Sequence, residues 1–475
     1  MQENPLQSFL SFCKNKRIAV LGMGISNRPL VRLLLHAGLE TELFDRKEAV
    51  NFKSFLDELK EEDHEPPAHF GVDYLSELKN FDLIFRTPFL RPDTPELLAE
   101  KKRGAIISSE MEAFLSYCPA EVCAVTGSDG KSTTATLMAR MLKAGGYTTF
   151  LGGNIGTPLL DQLASIRAED KVVLELSSFQ LLSMSQSPQR SIVTNISPNH
   201  LDMHKSYAEY VHAKKNIYLH QHLNDRLVLN GTSDFCAEMA AEARGRLVWA
   251  EHRPFGTAPL YGLEGDTLYF QAEPTAPKED LLQRRDLLLP GRYNAVNVLA
   301  AFAAVDGLVG RSELRLAVKD FKGVEHRVEL IAEARGLRYY DSSIDSSPNR
   351  SLHTLSAFRE QGVPVVMICG GKDKNCLYDG LGSTILDCCR GIIFCGANAP
   401  LIREDIEKAL RERSQTDFPM AAAADYKEAL KLADGIAQPG DAILLSPAGT
   451  SFDRFANFNE RGDVFKAEVR RHLKE

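Results

Sequence analysis

Three times along the chain, a short run of apolar and β-branched residues ends in a glycine-rich turn: RIAVLGMG at 17–24, VCAVTGSDGK at 122–131 and VVMICGGKDKN at 365–375. Helix-like stretches lie between such runs. Strand–helix alternation of this kind folds as a parallel sheet flanked by helices. At roughly 150 residues per domain, a chain of 475 residues has room for about three such units.

The first unit is read from RIAVLGMG, a helix over 28–37, TELFD, FDLIFRTP and GAIISS. The second starts at VCAVTG and passes through a helix at 133–144, TTFLGG, KVVLELSS and RSIVTNIS. After a helix near 207–220 come short strands, LVLNG, RLVWA, TLYFQ and DLLLP, expected as a small β-sheet, and then the helix NAVNVLAAFAAVDGL. The third carries LRYYDSS, VPVVMICGG, CRGIIFCG and DAILLSP to a C-terminal helix. The expectation is a three-domain α/β chain divided as 1–106, 107–323 and 324–475.

Composition narrows the function classes. The 44% hydrophobic and 25% charged residues are those of a globular protein and exclude extensive disorder. Lys and Arg number 56 against 64 Asp and Glu, a formal charge of −8, so no basic field is available for nucleic acid or an anionic membrane. No apolar run reaches the roughly 18 residues of a membrane span, and MQENPLQSFLSFCKNKR lacks the charged start and apolar core of a secretory signal. The nine cysteines have no CxxC spacing and sit mostly in apolar runs, where a free thiol packs as a small hydrophobe. A cytoplasmic, reducing location is expected.

The strongest chemical signal is VTGSDGKSTT at 125–134, between a β-branched run and a helix. Backbone N–H groups at a helix N-terminus hold phosphate. Gly127 and Gly130 allow the tight turn, Lys131 reaches outer phosphates, and Ser132 or Thr133 supplies a hydroxyl for Mg²⁺. The spacing falls short of the full P-loop pattern, which needs glycine at Val125. The bland alternative is an ordinary strand–helix turn.

Glu175 closes the strand in LELSSFQ, and NISPNHLDMH brings His200, Asp202 and His204 to the same sheet edge, where ligands of parallel sheets gather. Glu175 is a candidate Mg²⁺ ligand or else a solvated strand-end acid; His200 is a candidate ligand or else a loop histidine. GMGIS at 22–26, with Asp45 about twenty residues on, is a shortened dinucleotide fingerprint. GGKDKN (370–375) and SPAGTSFDRF (446–455) offer anion-binding groups or ordinary turns.

Taken in order, GMG, RTP, TGSDGKST, GGNIGTP, ELSSFQL, NHLDMH, YVHAKKNIY, GRYNAVN, EHRVE, GGKDK and LLSPAGTSFDRFANFNERG resemble the Mur ligase family over essentially the whole chain. The resemblance implies a Rossmann-like UDP-substrate domain, a central P-loop-type ATPase domain and a Rossmann-like amino-acid domain. ELSSFQL and the SFDRF stretch point to the member that adds D-glutamate to UDP-N-acetylmuramoyl-L-alanine. It uses ATP, forms an acyl phosphate, and serves peptidoglycan precursor synthesis; a monomer is expected.

Carried over position by position, the resemblance gives ATP contacts to Gly127, Ser128, Asp129, Gly130, Lys131, Ser132, Thr133, Asn294, Asn297, Arg327 and Asp341. It gives two Mg²⁺ ions to Ser132, Glu175, His200 and Lys214, with Lys214 carbamylated by CO₂. Helical spacing alone does not separate Lys214 from Lys215, of which one faces the site and the other is solvated. Catalysis falls to Lys131, His200 and Lys214, the UDP-substrate to Ser26, Asp45 and Asn154, and D-glutamate to Lys374, Ser451 and Phe458.

Several positions depart from the family pattern. Asp129 replaces the usual asparagine. In YDSSIDSS at 340–347, the ribose-binding aspartate position falls on Ser342 and a lysine position on Ile344, with Asp341 one residue away. Phe89 stands where a glycine is usual, its ring able to stack on a base or crowd it. Two other readings stand beside the D-glutamate one: a sibling or folylpolyglutamate-type ligase with another amino acid, and, motivated by Asp129, Ser342 and Phe89, a non-catalytic nucleotide-binding relative.

Overall fold

Uniformly apolar runs become central parallel strands because helices cover both their faces. The computed structural model describes residues 4–24, 26–197, 203–289, 291–373 and 376–474. In the first sheet, β1 (Ile18–Leu21), β2 (Thr41–Asp45), β3 (Ala68–Phe70), β4 (Leu83–Arg86) and β5 (Ile106–Ser108) are parallel in the order β3-β2-β1-β4-β5. Ile18, Ala19, Val20 and Leu21 are fully buried, as a doubly covered strand requires.

The second sheet has nine strands: β6 (Glu121–Thr126), β7 (Thr149–Gly153), β8 (Lys171–Glu175), β9 (Arg190–Val193), β10 (Arg226–Asn230), β11 (Arg246–Glu251), β12 (Leu260–Glu264), β13 (Thr267–Gln271) and β14 (Glu279–Gln283). Their order is β14-β13-β12-β11-β10-β9-β6-β8-β7. β6 lies between β8 and β9, both parallel to it; the connection out of β6 runs toward β7 and that out of β9 toward β10, in opposite directions across the sheet. A crevice opens at such a switch point, at the carboxyl ends of the strands. The short strands expected as a small sheet extend this one, with β13 antiparallel to β12. The described residues of DLLLP, 286–289, form no strand; the edge strand is instead Glu279–Gln283, just before them.

The third sheet, β15 (Glu329–Ala334), β16 (Leu337–Asp341), β17 (Val365–Cys369), β18 (Cys389–Phe394), β19 (Met420–Ala422) and β20 (Ala442–Leu445), runs β15-β16-β20-β17-β18-β19. Only its first pair, β15 with β16, is antiparallel. The chain divides into two compact units, one of 1–282 with 296–318, the other of 283–295 with 319–475. Among the described residues, no helix is long and apolar enough to cross a membrane.

Candidate active site

Two glycines shape the turn after β6. Gly127 has φ 149° and Gly130 has φ 79°, backbone that side chains resist. A Cβ on Gly127 would fall 1.9 Å from the Thr194 hydroxyl, and one on Gly130 would fall 2.3 Å from Asn297 Oδ1. The turn is tied to the chain leaving β9. Asn195 accepts from the Ser128 N–H through its carbonyl and from the Asp129 N–H through Oδ1, both at 2.9 Å. The Thr194 hydroxyl donates to the Asp129 carbonyl at 2.6 Å. Ser128 is buried, its hydroxyl 2.8 Å from the Tyr210 hydroxyl and 3.0 Å from the Ser197 carbonyl. Asp129 is exposed, so its extra carboxylate stands on the outside of the turn.

The helix Lys131–Ala144 starts at Gly130. In its first turn, the Ser132 hydroxyl donates to Glu175 Oε2 at 2.6 Å. Asn154 Nδ2 donates to the other oxygen of Glu175 at 2.9 Å, and the Asn154 N–H to its carbonyl at 2.7 Å. Glu175 is thus a carboxylate 2% exposed with both oxygens aimed by neutral donors. A hydroxyl and a carboxylate beside a phosphate-binding turn are the hard oxygen donors that Mg²⁺ takes, and the donor set fits that ion. Thr133 is buried in the same turn. Asn154, expected at the UDP-substrate, has its amide on Glu175.

Lys131 Nζ donates to the carbonyls of Gly127 at 3.0 Å and Ser128 at 2.8 Å. Lys214 comes from the helix Tyr207–Lys215 and donates to the same Gly127 carbonyl at 2.7 Å. Its ammonium nitrogen lies 4.7 Å from the centre of the Tyr210 ring. Lys214 is 2% exposed; burial first, and the nearby Lys131 ammonium second, push its pKa well below the lysine range.

Lys215 turns the other way, onto Glu238 and, at 2.9 Å, Glu242. Burial disfavours its charge, but these two hydrogen-bonded acids outweigh that and raise its pKa. The expectation of a solvated neighbour is corrected: Lys215 is 5% exposed and doubly paired. Sequence spacing could not show partners that lie 23 and 27 residues onward.

His200 and Asp202 lie outside the described residues. His204 is buried, 2.9 Å from the Ser178 hydroxyl and stacked on Phe179 at 5.3 Å. Tyr210, Thr194 and Asn195, which pin the phosphate turn, were not singled out from sequence; the spacing of Tyr210 to Lys214, one helical turn, was the available signal.

In the first sheet, Asp45 Oδ2 accepts from the Met23 N–H at 2.7 Å and Oδ1 from the Lys47 N–H at 2.8 Å. The fingerprint acid therefore braces its own glycine turn. Ser26 is half-buried at the start of the helix Asn27–His36.

In the third sheet's unit, Asp341 is fully buried and accepts from the Ser343 N–H at 2.8 Å, with His326 Nδ1 at 2.7 Å from its other oxygen. Held in this way, Asp341 orients His326, whose φ is 62°. Arg327 is half-buried, Ser451 is buried, and the Phe458 ring lies 6.3 Å from that of His326. Lys374 lies outside the described residues. Arg461, not singled out from sequence, is buried and donates to the carbonyls of Gly449 at 3.0 Å and Ser343 at 2.7 Å, fixing the two loops together. His326, Glu325, Glu329 and Asp463 form an acidic cluster, but the Lys466 ammonium already fills it, 2.7 Å from Glu325. Asn294 and Asn297 are both buried on the helix Arg292–Val305.

Comparison with known proteins gives the chain a family. The family model "Mur ligase middle domain" matches residues 125–305, and "Mur ligase, glutamate ligase domain" matches 326–449. A protein of Acetivibrio thermocellus named UDP-N-acetylmuramoylalanine--D-glutamate ligase is 45% identical over 469 residues, 98% of each chain. One of the same name from Ruminiclostridium cellulolyticum is 42% identical over 98% of this chain and 99% of its own. The fold is shared with the UDP-N-acetylmuramate-alanine ligase MurC of Thermotoga maritima, with a TM-score of 0.58 at 18% identity over 96% of this chain and 100% of that one. It is also shared with MurF ligase of Thermotoga maritima in complex with ADP, with a TM-score of 0.54 at 16% identity over 96% and 94%. With both family models matched and such identity along its length, the chain belongs to the Mur ligase family.

Proposed function

We propose that this protein joins D-glutamate to UDP-N-acetylmuramoyl-L-alanine with ATP converted to ADP and phosphate, in the cytoplasmic assembly of the peptidoglycan precursor. One arrangement carries the reading: Lys131, Ser132, Glu175 and Lys214 converge on a single glycine turn at the switch point of the second sheet. The substrates are those named for relatives more than 40% identical along nearly the full chain.

The substrate carboxylate takes the γ-phosphoryl group, releasing ADP and leaving an acyl phosphate. The amine of D-glutamate then attacks the carbonyl carbon, the C–N bond forms, a proton leaves the nitrogen, and phosphate departs. Both steps crowd anions together, so preorganised positive charge and N–H donors lower the barrier. Lys131 and the turn's N–H groups hold the phosphates. Ser132 and Glu175, with Lys214 as its carbamate and His200, would hold two Mg²⁺ ions. Mg²⁺ held by these residues would supply charge neutralisation during phosphoryl transfer.

An ammonium cannot ligate a cation, but a neutral amine adds CO₂ to become a carbamate; burial that disfavours charge on Lys214 supports this modification. Asn294, Asn297 and Arg327 are assigned to ATP, Ser26 and Asp45 to the UDP-substrate, and Lys374, Ser451 and Phe458 to D-glutamate. The chain is assigned three domains at about 1–106, 107–323 and 324–475, and is taken as a monomer.

Phosphate release is the test. It should require UDP-N-acetylmuramoyl-L-alanine, D-glutamate, ATP and Mg²⁺ together. Release that proceeds equally well without D-glutamate, or with another amino acid in its place, would overturn the assignment.

A further inference from the structure

The loop leaving β4 carries Arg91 across to the second sheet's helices. Its guanidinium grips Glu209 with two parallel bonds, Nη2 to Oε1 at 2.7 Å and Nη1 to Oε2 at 2.9 Å. Nη1 also donates to the Met203 carbonyl at 2.8 Å, while Nε and Nη2 hold the two oxygens of Asp93 at 2.8 and 3.1 Å. Every guanidinium nitrogen is engaged. The side chains of Arg91 and Glu209 are only 24% and 23% exposed, and a fork of this kind fixes orientation as well as distance.

Glu209 sits in the first turn of the helix Tyr207–Lys215, its N–H donating to the Ser206 hydroxyl at 3.1 Å. Tyr210 and Lys214, one turn apart on a different face, touch the phosphate turn at Ser128 and Gly127. The helix is thus clamped on one side by Arg91 and presents Lys214 on the other. Phe89, two residues before Arg91, meets the Phe179 ring at 5.6 Å, so the same loop also steadies the short helix after Glu175.

We infer that Arg91 is a positioning residue: it sets the rotation of the helix Tyr207–Lys215 and so places Lys214 at the phosphate turn. The inference rests on the ligase reading for its activity readout but not for its structural one. Lysine cannot reproduce the fork, because a point charge with three rotatable donors fixes no plane.

Arg91→Ala, Arg91→Lys and the reversed pair Arg91→Glu with Glu209→Arg are made in the full chain. Phosphate release is titrated with Mg²⁺ and with bicarbonate, amide exchange is followed over 207–215, and thermal unfolding is measured alongside. Arg91→Ala should lower kcat on the order of a hundredfold, the scale of an ångström of misplacement. It should raise the half-saturating Mg²⁺ and bicarbonate concentrations roughly tenfold, a change that loss of stability alone does not produce. Arg91→Lys should fall between, and the reversed pair should recover part of the loss.

Exchange over 207–215 should quicken roughly tenfold in Arg91→Ala whether or not the protein turns over. Unchanged exchange with unchanged half-saturation overturns the inference, as does a loss of activity that tracks unfolding and is not recovered by the reversed pair. A wild-type protein without ligase activity defeats the proposed function instead, and the exchange data still decide the clamp.

Discussion

Lys131 and Lys214 donate to the same oxygen: the Gly127 carbonyl accepts from Lys131 Nζ at 3.0 Å and from Lys214 Nζ at 2.7 Å. Two ammonium groups on one acceptor repel, and the more buried one yields. Lys131 is half-buried, whereas burial first and the Lys131 ammonium second drive Lys214, 2% exposed, toward the neutral amine.

Lys214→Ala should therefore lose at least about a hundredfold in phosphate release, the scale of removing one preorganised electrostatic group. Added acetate should restore part of the rate by standing in for the carbamate proposed on Lys214. Lys214→Arg should not be rescued, since a guanidinium stays charged and adds no CO₂. Full activity in the alanine variant would remove Lys214 from the mechanism.

Gly127→Ala tests the shape of the turn. At φ 149°, and with the Thr194 hydroxyl 1.9 Å from the new Cβ, the backbone must move. The expected cost is about 2 kcal/mol, the middle of the range for a strained backbone position, together with loss of ATP binding. Urea unfolding and nucleotide titration measure the two separately. A variant that binds ATP normally would mean the turn is not the phosphate cradle.

The glycine turns and the parallel strands were legible because they are local: a uniformly apolar run has no exposed face, and a glycine after it permits the positive φ seen at Gly22, Gly127 and Gly370. What sequence could not show depends on distant partners. Asp341 closes a strand, and His326, 15 residues earlier, holds one of its oxygens, a partner that no local pattern shows. DLLLP has the composition of a strand, but the pairing edge of the second sheet is taken by Glu279–Gln283. Arg91 lies in no motif, and the Glu209 that gives it meaning is 118 residues away.

Asn154, expected at the UDP-substrate, also braces the candidate Mg²⁺ ligand Glu175. Its amide holds Glu175 Oε1 at 2.9 Å, so Asn154→Ala should leave that carboxylate free to turn. A lost hydrogen bond to a charged group costs about 1.5–3 kcal/mol, so kcat should fall at least roughly tenfold, with a higher Mg²⁺ requirement. The KM for the UDP-substrate reads the other role. A raised KM with kcat and Mg²⁺ dependence unchanged would make Asn154 a substrate contact only.

Glu110 provides the pH prediction. It opens the helix Glu110–Tyr117, is 6% exposed, and accepts from the Leu160 N–H at 3.2 Å. Burial pushes its carboxyl from the ordinary 4.5 up to about 7, against the lowering effect of the Leu160 and Leu159 N–H groups. The folded chain therefore binds this proton more tightly than the unfolded one. Its contribution to stability is fully present below pH 4.5, falls as pH rises from there to about 7, and is level above. The gap amounts to on the order of 3 kcal/mol lost across that window. Glu110→Gln has no proton to give up, so its stability in urea should vary less between pH 5 and 7 and exceed that of the wild type at pH 8. Parallel profiles for the two proteins would show that Glu110 ionises in the folded chain as readily as in the unfolded one.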